Sequence, residues 1–199
     1  MKLYYSESSP FARKVRACAI ECGLDEAIRL IPAAPLDSDD AVHQVNPLGR
    51  VPALVTEEGF VLVDSPVICE YLDSRLLGVH PLFPASGPKR WAALRRQALG
   101  DGLMDSAVAW RQELMRPENL RSEEWLARRE RQVRGTLAYL QTLTPEWDLV
   151  DIGNLSIACA LGYLQFRFAE WAWSHQCPEL FAWFEQFSGR DSLLRTRHQ

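Results

Sequence analysis

Three short stretches of this chain carry residues whose types and spacing could do chemistry. They are Ser8-Ser9-Pro10-Phe11-Ala12-Arg13-Lys14, Asn46-Pro47-Leu48-Gly49-Arg50-Val51-Pro52-Ala53-Leu54 and Val63-Asp64-Ser65-Pro66. Ser9-Pro10 and Ser65-Pro66 both read as helix starts: a serine oxygen can accept from the free N–H groups of a first turn, and proline is tolerated at the first helical position. A helix start also attracts anions, because unpaired N–H groups and the positive end of the helix dipole face outward there. Singly, each residue has a plain reading. Ser9 and Ser65 are ordinary caps, Pro52 is a loop or edge proline, Asp64 is a solvated turn acid and Arg50 a solvated loop cation. Other chemistries find less support. The four histidines, His43, His80, His175 and His198, have no triad spacing. The five cysteines, Cys18, Cys22, Cys69, Cys159 and Cys177, are odd in number and contain no CxxC pair. Cys18 and Cys22 stand four apart with no further ligand beside them, so a metal site is not expected and the cysteines read as small core hydrophobes.

The elements that must position these residues can be traced by periodicity. Lys2–Tyr5 reads as a strand, and Phe11, Val15, Cys18, Ala19 and Cys22 form a helical stripe that stops at Gly23. A second strand is expected over Ala27–Ile31, and a short helix near Asp39–Val45. Val51–Val55 and Phe60–Val63, separated by Thr56-Glu57-Glu58-Gly59, read as a hairpin. Val67, Ile68, Tyr71, Leu72 and Leu76 then mark a helix after Ser65-Pro66. Pro81–Pro88 reads as a linker. Beyond it only helical patterns appear, at roughly 89–115, 122–143, 151–169 and 179–188.

Composition supports two differently built halves. All seven tryptophans lie after residue 90, and nine of the twelve prolines lie at or before Pro88. With 199 residues, 47% hydrophobic and 24% charged, the chain has the composition of a globular protein with a sizeable core. Its net charge of −4 lacks the basic field that nucleic-acid binding needs. The basic runs Arg13-Lys14-Val15-Arg16 and Lys89-Arg90 with Arg95-Arg96 read as solvated helix faces. No run of about 18 apolar residues suggests a membrane helix, and polar residues interrupt the N-terminus where a signal peptide would need its apolar region. A cytoplasmic protein is therefore expected, without membrane or nucleic-acid partners.

Taken together, the three stretches closely resemble the glutathione S-transferase superfamily, in its serine-type classes and bacterial relatives. The order strand, S-P-F helix, N-P-x-G-x-V-P-x-L, D-S-P helix is that of the family's thioredoxin-like domain, and the helical remainder matches its second domain. The resemblance covers almost the whole chain. It implies an α/β plus all-α architecture: a thioredoxin-like glutathione-binding domain over 1–80, a linker over 81–88 and an all-helical domain over 89–199. It implies glutathione as co-substrate, no metal, and a homodimer. Ser65 and its N–H would hold the γ-glutamyl carboxylate, with Asp64 near the ammonium group. Val51, before a proline that is cis in the family, would pair with the cysteinyl backbone, as in adding a strand to an edge. Arg50 would meet a glutathione carboxylate.

Ser9 is the expected catalytic residue. A free thiol is only slightly ionised at neutral pH, and a serine hydroxyl donating to sulfur beside a helix start favours the thiolate. Ser8 and Tyr5 are the alternatives. Glutaredoxin-like relatives carry Cys-Pro where this chain has Ser9-Pro10, so conjugation is favoured over disulfide chemistry. The expected activity is detoxifying transfer of the glutathione sulfur to a small apolar electrophile lodged between the domains, with Phe11, Met104 and Val108 as pocket residues and Trp110 near them. Two further readings remain: a glutathione-binding protein with little catalysis, and a glutathione-dependent reductase or peroxidase. Two departures from the family pattern are visible. Ala34–Asp40 is acidic where relatives often carry a lysine, and Asn154 replaces the acid of the reciprocal capping box that begins at Asp151.

Overall fold

A computed structural model describes residues 1–76, 81–143 and 149–198; His80 and Trp147 lie outside them. Contacts divide the chain into two compact units, Met1–Arg90 joined by the segment from Asp191 onward, and Trp91–Arg190.

In the first unit a four-stranded sheet has the order β2-β1-β3-β4, with β1 at Lys2–Tyr5, β2 at Arg29–Pro32, β3 at Ala53–Val55 and β4 at Val61–Leu62. Leu3 and Tyr5 of β1 face the core while Lys2 points out, the period-two pattern of a strand. β1 and β2 are parallel, which requires a crossover. Helix α1, Pro10–Glu21, supplies it. β3 runs antiparallel to β1 and β4 antiparallel to β3. β3 starts two residues later than the sequence reading has it, because Pro52 has no N–H to give the ladder. A one-turn helix α2 at Val42–Val45 and helix α3 at Ser65–Ser74 follow the expected places. α1 packs on α3 over a core containing Leu3, Ala12, Val15, Leu54, Ile68 and Leu72.

Cys18 is buried in the same core. Hydrogen bonds with the Cys22 and Cys69 thiols, followed by burial, push its thiol well above the ordinary range, which fits an inert packing role. All five cysteines are buried, and among the described residues none forms a disulfide.

The second unit is helical. Helix α4, Gly87–Met115, enters it from the first unit. Helix α5 spans Glu123–Thr142, α6 Ile152–Arg167, α7 Trp173–Gln176 and α8 Pro178–Phe187. α6 is buried almost all round, as expected of a central helix. Two glycines let α4 and α6 touch. A Cβ on Gly100 would meet the Ser156 carbonyl carbon at 2.7 Å, and one on Gly153 would meet Ala93 O at 2.6 Å. The altered capping box is rewired. Asp151 accepts from the Asn154 N–H at 2.9 Å and pairs with the buried Arg96, while the Asn154 side chain donates back to Leu149 O at 2.8 Å. Asparagine thus satisfies a carbonyl before the helix instead of the N–H an acid would reach. Among the described residues no helix is long and apolar enough to cross a membrane.

Helix α9, Asp191–Arg195, is a short element that periodicity could not reveal. It returns to pack on α1. Leu193 is buried, Arg13 donates to Leu193 O at 3.2 Å, Ser192 Oγ donates to Glu21, and Arg195 pairs with Asp25. His198 Nδ1 lies 2.9 Å from Glu7 O.

Candidate functional site

Strand register alone gathers the three chemical stretches. Tyr4 near the end of β1 faces Ala53 at the start of β3, and Leu62 at the end of β4 faces Leu54. The segments that leave β1, enter β3 and leave β4 therefore share one end of the sheet. Those segments carry Ser9, Val51 and Asp64-Ser65.

Ser9 caps α1. Its backbone is extended (φ −80°, ψ 119°), and its Oγ accepts the Ala12 N–H at 3.2 Å. Accepting uses a lone pair and leaves the hydroxyl proton available to a second partner. Ser8 beside it is exposed, and Tyr5 is buried with the Arg16 guanidinium over its ring at 5.1 Å. Half-buried Phe11 lies in the first turn of the helix.

Val51 precedes β3, and its bond to Pro52 is cis. Among the described residues no protein group pairs with the Val51 N–H or C=O. The loop before it is held by Asn46, whose role the sequence reading missed. This buried side chain donates to Arg50 O at 2.7 Å and accepts the Leu48 N–H at 3.0 Å. An asparagine ahead of Pro-x-Gly is the available signal, since its side chain can imitate a turn of backbone. Gly49 has φ +58°, and a Cβ there would meet the His43 ring at 2.6 Å, so this bend requires glycine. The Arg50 side chain is exposed.

Asp64, half-buried, is the cap residue of α3 but its side chain makes no capping bond, and the Val63–Asp64 bond is cis. Ser65 is the first residue of α3 and 1% exposed; among the described residues its Oγ has no hydrogen-bond partner. A buried hydroxyl without a partner is costly and unusual. Here it sits at a helix start, beside a carboxylate that makes no capping bond.

The acidic loop serves itself. Asp40 accepts the Ala34 and Val42 N–H groups, each at 2.8 Å, and those two bonds, Ala34 first, hold its carboxyl below the ordinary range. In the helical unit Met104 is fully buried and Val108 half-buried. Among the described residues no His, Cys, Asp and Glu side chains form a metal-holding group.

Residues 8–75 match the family described as "Glutathione S-transferase, N-terminal domain". Among curated proteins, an uncharacterized GST-like protein of Escherichia coli K12, YibF, is 37% identical over 201 residues, covering 98% of each chain. Among solved structures, a glutathione transferase family member from Pseudomonas fluorescens Pf-5 with bound glutathione superposes with a TM-score of 0.95 at 39% identity, covering 100% of this chain and 98% of that one. A second structure from that organism, holding S-(propanoic acid)-glutathione, gives a TM-score of 0.91 at 39% identity over 100% of both chains. A relative from Methylobacillus flagellatus with bound glutathione gives 0.91 at 32% identity, over 100% and 99%. Similarity of this extent, running the full length of both chains, makes the protein a member of the glutathione S-transferase family.

Proposed function

We propose that the protein is a glutathione transferase that joins the glutathione sulfur to a small electrophile. The observation that carries this reading is the Ser9 hydroxyl at the start of α1, committed as an acceptor to Ala12 and with its proton available. Ser65 Oγ and the α3 helix start would take the γ-glutamyl carboxylate, and the Asp64 carboxylate its ammonium group. The Val51 N–H and C=O would pair with the cysteinyl backbone, and Arg50 would reach a carboxylate. Among the described residues the buried Ser65 hydroxyl and the Val51 backbone have no partner, which supports these roles, since a buried hydroxyl is normally satisfied by something. Glutathione and a glutathione thioether bound in relatives support the ligand and the class of product.

The chemistry asked of the protein is modest. Near neutral pH only a few per cent of a free thiol with a pKa of about 8.5 is thiolate. A donated hydrogen bond and the positive helix end lower that pKa, and each unit is worth about 1.4 kcal/mol. The thiolate attacks the electrophilic carbon and a C–S bond forms. Either a leaving group departs with its electron pair, or an unsaturated acceptor takes a proton at the adjacent carbon. Ser9 remains a hydrogen-bond donor throughout and forms no covalent bond.

The test is the ultraviolet absorbance of bound glutathione thiolate against pH in wild type and Ser9→Ala. A thiol pKa about one to two units lower in wild type is expected, on the scale of one lost charge-assisted hydrogen bond. The same pKa in both proteins would remove Ser9 from the mechanism. Turnover across a panel of electrophiles separates a transferase from a binding protein.

A further inference from the structure

The helical unit carries a second polar constellation, for which the glutathione chemistry has no use. α4 and α6 run side by side in the same direction. Gly153 lies against Ala93 and Arg96, Gly100 against Ser156, and Trp110 stacks on Phe168 at 4.6 Å and 22°. Arg111 stands as many residues beyond Gly100 as Arg167 does beyond Ser156, so helical rise puts the two residues at one level along their helices. Tyr163 is one turn before Arg167 on the same face of α6 and is buried, 4% exposed. Burial is the main influence on that phenol and pushes it up, with Arg167 and Arg111 pulling the other way. It therefore stays protonated at neutral pH and brings no negative charge.

Two positive charges thus act on one neutral phenol. Among the described residues neither arginine forms an ion pair, and the Nε atoms of both are shielded from solvent without a hydrogen-bond acceptor. Other arginines with a shielded Nε have an acceptor elsewhere on the fork. Arg13 bonds Leu193 O, Arg96 pairs with Asp151, and Arg129 bonds Gln132. The Arg167 guanidinium lies against the Phe166 ring, 4.0 Å from its centre, which steadies the fork. A planar fork with an unused Nε beside a second cation and a phenolic O–H matches a carboxylate, which takes two parallel N–H bonds and accepts a third from a hydroxyl.

We propose that Arg111, Arg167 and Tyr163 form a carboxylate-binding site within the helical unit, and that the electrophile of this protein is a small organic acid held there by its carboxylate. The second half of the proposal rests on the transferase reading above.

The test pairs acids with their neutral amides. Without glutathione, 3-nitrobenzoate is titrated against tryptophan fluorescence, since Trp110 adjoins Arg111; 3-nitrobenzamide is the control. The acid binds wild type at least about tenfold more tightly than the amide, the scale of a charged hydrogen-bonded pair. Arg111→Gln and Arg167→Gln each remove that preference and leave amide binding unchanged, while Tyr163→Phe weakens the acid severalfold. Thermal unfolding checks that the variants fold. Arg111→Lys, which keeps the charge and loses the fork, still binds the acid more weakly than wild type. Equal binding of acid and amide to wild type, or glutamine variants that bind the acid as wild type does, overturns the site.

With glutathione added, 4-chloro-3-nitrobenzoate and its amide follow. In each, the sulfur displaces chloride, so a C–S bond forms and a C–Cl bond breaks. The acid has the lower KM, and Arg111→Gln raises that KM with kcat little changed. Acid binding without turnover of either compound sinks the transferase reading and leaves the site standing. Equal KM for acid and amide, unaffected by Arg111→Gln, sinks the substrate class and leaves the transferase standing.

Discussion

On the proposed function Ser9 has two jobs for one oxygen, and substitution can separate them. As a cap it accepts the Ala12 N–H; as a donor it would serve the sulfur. Ser9→Ala loses both, and costs about 1 kcal/mol of stability for the cap besides raising the thiol pKa of bound glutathione. Ser9→Asp keeps a good cap while placing a negative charge beside the thiolate. Urea unfolding of Ser9→Asp should stay near wild type while kcat/KM falls at least as far as in Ser9→Ala. Equal stability loss in both variants would show that the cap carries no weight. Ser65 invites the opposite experiment. Its buried hydroxyl has no partner among the described residues, so Ser65→Ala removes an unsatisfied group and should leave stability unchanged or slightly higher. Calorimetric titration should nevertheless show glutathione bound about tenfold more weakly, the scale of one hydrogen bond to a charged group. A variant that binds as wild type does would take Ser65 out of the site.

At the scale of elements, one helix offers an internally controlled comparison. Gly100 and Gly102 both lie inside α4. A Cβ at Gly100 would press on the backbone of α6, with the Ser156 carbonyl carbon at 2.7 Å and the Ile157 nitrogen at 2.8 Å, whereas one at Gly102 meets nothing within 4 Å. Gly100→Ala should cost about 1–3 kcal/mol as overpacking, and Gly102→Ala should gain up to about 1 kcal/mol from helix propensity. Equal shifts on thermal unfolding would refute the close helix contact. Leu193, at 1% exposure, anchors α9 to the first unit. Leu193→Ala should cost about 2–4 kcal/mol, read by urea unfolding.

These elements also show where sequence reasoning succeeds and stops. Both Ser-Pro helix starts, the hairpin and the four long helices were legible, because capping residues and apolar stripes act locally. Their shared end of the sheet was not, since register depends on pairings remote in sequence. α9 was hidden for a related reason: five residues carry no period, and their partners Arg13, Glu21 and Asp25 lie far earlier in the chain. Asn46 was quoted as part of a motif, yet its work, holding Arg50 O and the Leu48 N–H, appears only in three dimensions. The proposed Arg111, Arg167 and Tyr163 group was illegible, because it depends on two helices lying side by side in one register.

At the scale of the molecule, the helical unit is an insertion. Residues 91–190 leave a first unit and return to it, and that unit holds the chain on either side of them. Native-state hydrogen exchange should report this. Amides of α9 should open with the free energy of α1, the helix they pack on, and not with that of α8, their neighbour in sequence. Saturating glutathione, at about a hundred times its Kd, should slow both α1 and α9 by about 2.7 kcal/mol. Exchange in α9 that tracks α8 and ignores glutathione would contradict the division.

The return of α9 has a consequence for how the protein is made. A ribosome delivers β1 through α3 first, yet the piece that seals them, with Leu193 beneath Arg13, emerges about a hundred residues later than Arg90. For that interval the nascent first unit exposes the patch on α1 that Leu193 will cover, while α4 through α8 can already collapse on their own core. The half that is written first is the half that is finished last.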